Sequence, residues 1–117
     1  MSAKAAPSAR TGDSAGTARL NADLLQAAYL GDLPSVARAI DEGADIDCVH
    51  EQTGLSPLHI AVGTNNLALT KFFIDAGALI GPDRSGRWPT VIAAECRADE
   101  NLCDYIVEEE AKLLHVK

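Results

Sequence analysis

Residues 56–62 read Ser56-Pro57-Leu58-His59-Ile60-Ala61-Val62, and the chain is best understood outward from them. Ser56 is a preferred N-cap residue. Pro57 then occupies the first helical position, where the missing N–H would be unpaired anyway. His59 falls at the third helical position, within reach of the Ser56 hydroxyl. A short apolar helix follows. An alternative reading makes Ser56 a nucleophile with His59 as its base, a hydrolase pair. That chemistry needs an orienting carboxylate and oxyanion donors, and the sequence marks neither. Cap, proline and apolar periodicity agree, so the structural reading of Ser56, Pro57 and His59 is preferred.

The same pattern recurs. LLQAAYLGDLPSVARAIDEGADID from 24, LHIAVGTNNLALTKFFIDAGALIG from 58 and TVIAAECRADENLCDYIVEEEAKL from 90 align at spacings of 34 and then 32 residues. Ala27, Ala61 and Ala93 correspond, as do Val36, Thr70 and Leu102, and Ile40, Ile74 and Ile106. A repeat near 33 residues is the mark of a stacked solenoid. Each unit reads as a compact Ala-rich helix, a tight turn, a longer helix and an extended loop. Gly31 and Asn65 stand where the turn needs a left-handed backbone, and Arg97 takes that place less comfortably. Gly43 and Gly77 stop the second helices.

These features resemble the ankyrin repeat family over about residues 22–117. The family's T-P-L-H-x-A signature appears as Ser56-Pro57-Leu58-His59-Ile60-Ala61, followed later by Gly77-Ala78. Unit one matches through Ala27-Ala28, Gly31-Asp32 and the GADID stretch at 43–47. Unit three departs: Trp88-Pro89-Thr90-Val91 replaces T-P-L-H, and Glu109-Glu110 replaces the Gly-Ala stop. It is expected to be a terminal unit whose last helix runs on, with Leu102, Ile106 and Leu113 near one face. The expected fold is therefore an all-α ankyrin-type helix-turn-helix solenoid of three repeats with an extended C-terminal helix. Its expected organisation is a flexible tail over 1–20 and a repeat domain over 21–117, with repeats at about 22–52, 53–84 and 85–117.

Composition narrows the function. The 117 residues carry a formal net charge of -7 and only 4% aromatics. Residues 1–20 hold Lys4, Arg10 and Arg19 against Asp13, so the acid is concentrated in the body. Such a body repels phosphate backbones, which argues against nucleic acid as ligand and for a protein partner, a basic one being steered toward it. The tail has some features of a transit peptide, but a disordered segment is the reading adopted. Cys48, Cys96 and Cys103 form no disulfide framework and fit a reducing, cytoplasmic setting. Cys96 and Cys103 are expected to be small packing residues. Cys48 and His50 form a Cys-x-His pair without the second pair that a metal site requires. No cofactor and no membrane association are expected, and a monomer is the expected state.

What the resemblance implies is protein binding through loop tips and the concave face, without enzymatic activity. Carried over by position, the face comprises Tyr29 and Leu30 from unit one; Glu51, Gln52, Thr53, Leu55 and Thr64 from unit two; and Arg84, Ser85, Arg87, Glu95 and Cys96 from unit three. Trp88 flanks it, and joins Arg84 and Arg87 in binding, plugs the gap left by the missing cap, or does both. The acidic run at 108–110 is expected to be a solvated helix face, and the start of unit three the loosest part of the stack. An adaptor is the first expectation. An inhibitor or immunity-type protein that masks an enzyme's active site is the second.

Overall fold

The computed structural model describes residues 11–115. Six helices follow in order: α1 (Thr11–Leu30), α2 (Leu33–Asp41), α3 (Pro57–Gly63), α4 (Leu67–Asp75), α5 (Pro89–Glu95) and α6 (Glu100–His115). No strand occurs among the described residues. The first helices α1, α3 and α5 pack on one another in series. Each of α1, α3 and α5 also packs on the helix that follows it.

Alanine makes this stacking possible. Ala27, Ala61 and Ala93 are buried at corresponding positions, and their short side chains let neighbouring helices approach closely. A second column is Val36, Thr70 and Leu102, all at 0% exposure. Thr70 is tolerated there because its hydroxyl donates to Asn66 O at 2.8 Å, so no polar atom is left unpaired. Phe73 fills the middle of the stack. Gly31, Asn65 and Arg97 turn the chain between paired helices with φ of 71°, 61° and 57°. The arginine adopts a backbone that an L side chain finds costly.

Adjacent units are tied by polar rungs as well. Leu79 N–H donates to Asp47 Oδ1 at 2.9 Å, and Asp99 N–H donates to Asn65 Oδ1 at 2.8 Å. Asp32 and Asn66 cap α2 and α4 through Ser35 N–H and Leu69 N–H.

Three features differ from the sequence reading or add to it. Helix α1 begins at Thr11, so ten of the residues assigned to a flexible tail are helical, while 1–10 lie outside the described residues. The reason is cooperative: once packed residues such as Leu24 and Ala28 nucleate the helix, each added residue gains a hydrogen bond at little cost, and the sequence upstream to Thr11 contains no proline. In α6, Leu102 and Ile106 are fully buried but Leu113 is 47% exposed, because the helix overruns the stack it packs against. Finally, the acidic run is not merely solvated. Glu110 accepts from Thr90 N–H at 2.8 Å and from the Thr90 hydroxyl at 2.9 Å. Trp88 offers α5 no side-chain cap, and a carboxylate from the last helix supplies the acceptor instead.

Candidate protein-binding face

The best-formed helix start in the chain is at α3. Ser56 Oγ accepts from His59 N–H at 3.3 Å, and Ser56 N–H donates to His59 Nδ1 at 3.2 Å, closing a capping box. Because Nδ1 accepts, the ring proton lies on Nε2, which donates to Gly81 O at 2.8 Å. Ser56 Oγ is 2.8 Å from Nδ1, and both side chains are buried. The ring thus joins the start of one helix to the loop that enters the next unit, and the hydroxyl closes its own helix.

Each of the two loops between units forms a finger around one side-chain acceptor. In the first finger, His50 Nδ1 accepts from Gln52 N–H and Thr53 N–H at 3.1 and 3.4 Å. The His50 N–H donates to Leu55 O, and Gly54 N–H donates to His50 O. In the second, Asp83 plays the same part. Its Oδ1 accepts from Ser85 N–H and Arg87 N–H at 2.8 and 2.9 Å, and Gly86 N–H donates to Asp83 O. The fingers touch: Arg84 N–H donates to Gly54 O at 3.3 Å, and the Arg84 guanidinium donates to His50 O at 3.3 Å. Gly54 has φ of 74°, and a β-carbon there would overlap Arg84 Cβ, so only glycine fits.

Arg87 locks the second finger to α5. It pairs with Asp83 Oδ2 and Glu95 Oε1, both at 2.9 Å. The Asp83 side chain is fully covered. That burial pushes its carboxyl up, but the Arg87 N–H bonds, the guanidinium charge and the Ser85 N–H outweigh it, leaving Asp83 below the ordinary carboxylate value. Arg87 is raised in turn, through its bonds to Glu95 and then Asp83.

Of the residues singled out in the sequence, Tyr29, Leu30, Glu51 and Gln52 line one groove of about 930 Å³ between α1 and the first finger. Arg84, Ser85, Arg87, Trp88 and Glu95 belong to a second group on the second finger and the two ends of α5. There Arg87 and Glu95 are already paired with each other, and Trp88 is 37% exposed. Arg84 borders a separate cleft with Asp47, Val49, Leu79 and Pro82. Leu55 packs partly against the core, and Thr64 caps its own helix through Ile60 O at 2.8 Å. Thr53 Oγ1 accepts from Leu55 N–H.

The sequence reading missed Ala18, Asn21, Ala22, Leu25, Gln26, Asp45 and Val49 as binding residues, and these also line the groove. Reading 1–20 as a tail hid Ala18, whereas the rest of the α1 wall lies within the stretch read as repeat domain. The alanines at 15, 18 and 22, favourable to helix, were the available signal. Asp83 was missed too, although the Asp-x-x-Gly spacing to Gly86 is a turn signature. The cysteines depart in part: Cys96 is exposed rather than packed, and Cys103 is half-buried. Cys48 belongs to the core, where burial pushes its thiol up to about 11 and keeps it protonated. Among the described residues, no group of three or more His, Cys, Asp or Glu side chains could hold a metal ion, and no helix is long and apolar enough to cross a membrane.

A family model described as ankyrin repeats, in three copies, matches residues 24–116. The chain belongs to the ankyrin repeat family. Among curated proteins, it is 36% identical over 58 residues to palmitoyltransferase AKR1 of Gibberella zeae, covering 50% of this chain and 8% of that protein. It is 34% identical over 67 residues to palmitoyltransferase akr1 of Aspergillus oryzae, covering 57% of this chain and 9% of that protein. With the RelA-associated inhibitor of Mus musculus it shares 36% identity over 91 residues, 77% of this chain and 11% of that protein. The chain spans about a tenth of the length of these relatives. Ankyrin repeats point to protein–protein interaction, and the likeness to the palmitoyltransferases is confined to a partial match.

Proposed function

We propose that this chain is a protein-binding module that engages a single partner through its concave face, formed by the exposed side of α1 and the finger tips. The observation that carries the reading is the groove beside the first finger, where Tyr29 and Leu30 are 48% and 72% exposed on a helix whose opposite face is buried. Both fingers are held by internal hydrogen bonds, so binding orders little that is not already ordered. The module acts as a monomer in a reducing, cytoplasmic setting, in keeping with its free cysteines. Its acidic body steers basic partners toward it.

A second reading is that binding masks the partner's active site. It is favoured by the name of the relative with which the chain shares most of its length, an inhibitor. Affinity capture from the source cells, repeated with Tyr29→Asp, tests the first reading: capture should fall at least tenfold. Undiminished capture by that variant, with its helicity intact, would overturn it. Assay of the captured protein then separates the readings. Loss of its activity on mixing identifies an inhibitor, and unchanged activity an adaptor.

A further inference from the structure

The groove beside the first finger has a chemistry of its own. One wall is α1, with Ala18, Asn21, Ala22, Leu25 and Tyr29, and the other is the loop from Asp45 to Gln52. Both walls are pinned. Asp45 N–H donates to Asn21 Oδ1 at 2.8 Å, and the finger closes on His50. Leu25 and Cys48 are buried beneath, while Tyr29, Leu30 and Val49 keep 48%, 72% and 48% of their surface in solvent. An apolar side chain dropped between the walls would therefore cover exposed apolar area without moving the backbone.

The charge in the groove has one sign. Its lining includes Asp45 and Glu51 but no lysine or arginine. Both acids are exposed, and neither forms an ion pair among the described residues. By contrast, both acids that face the second finger, Asp83 and Glu95, are already ion-paired with Arg87. Along the concave face, unpaired negative charge and exposed apolar surface thus coincide at the first finger.

We infer that this groove takes a short segment of a partner protein in which an apolar anchor is flanked by lysine or arginine. The anchor packs between Tyr29 and Val49, and the cations face Asp45 and Glu51. The inference rests on the concave-face reading and sharpens it to one site and one chemistry. Complementary charge sets partner choice and encounter rate, and the apolar anchor supplies most of the residence time.

Fluorescence anisotropy with two labelled octapeptides tests it, one alternating lysine and leucine and the other glutamate and leucine. The lysine–leucine peptide should bind at least tenfold more tightly, and Glu51→Lys with Asp45→Lys should remove that preference. Tyr29→Ala should weaken binding severalfold, while Glu108→Lys on α6 leaves it unchanged. Circular dichroism and the melting temperature check that each variant is folded. Equal binding of the two peptides, or a preference that survives the double charge reversal, overturns the inference. If deleting residues 1–10 raises peptide affinity tenfold, the chain's own basic tail is the occupant, and the partner assignment falls. If the peptides do not discriminate but partner capture is still lost on Tyr29→Asp, the concave-face reading stands and only the groove chemistry fails.

Discussion

Asp83 and His50 occupy the same place in successive fingers, yet one turns the chain with a carboxylate and the other with an imidazole. The carboxylate has an additional role, because its second oxygen receives Arg87 and so fastens the finger to α5. Its folded value lies below the ordinary 3.8, so the contribution to stability is complete above about pH 4 and is lost as pH falls through the folded value. The difference in melting temperature between the wild type and Asp83→Asn should therefore be largest at neutral pH and shrink below about pH 4. A difference that is flat from pH 7 to 3 would mean that the ionised carboxylate contributes nothing. Sequence reasoning placed Arg87 among free binding residues, since residue type alone does not reveal that a side chain is already engaged. Its partner Glu95 lies eight positions away, beyond any local pattern.

Among the second helices of the units, α6 departs from its counterparts. It runs 16 residues where α2 and α4 run 9, because Glu109 and Glu110 stand where Gly43-Ala44 and Gly77-Ala78 end the others. This extension was legible, since the absence of a stop signal is local information. What it does was not. Glu110 reaches the start of α5 twenty residues back, and only the packed geometry brings the two together. The third unit's start is accordingly anchored, although Trp88 supplies no cap. Glu110→Ala should cost about 1–2 kcal/mol in urea unfolding, by leaving the half-buried Thr90 N–H without its acceptor, whereas Glu108→Ala should cost less than about 0.5 kcal/mol. Equal losses at the two positions would show that the contact does not hold α5. The α3 start, by comparison, was readable from seven residues, because its cap, proline and histidine all lie within one turn.

For the whole molecule, charge sets the response to its surroundings. A net of -7 on 117 residues, with only three ion pairs among the described residues, leaves most carboxylates repelling one another across a narrow stack. Raising sodium chloride from about 10 to 150 mM should lift the melting temperature by a few degrees, since screening weakens repulsion between exposed charges more than it weakens the covered Asp83 pair. A fall over that range would mean that attractive pairs dominate. Such a stack would in principle be simple to lengthen by design, with one more unit added after the third. Here that operation carries a penalty. Appending a unit requires α6 to end near Val107 and Gly-Ala to replace Glu109-Glu110, which removes the carboxylate that closes α5. A graft at this end must therefore restore the cap at Trp88 in the same step, or it will weaken the unit on which it is built.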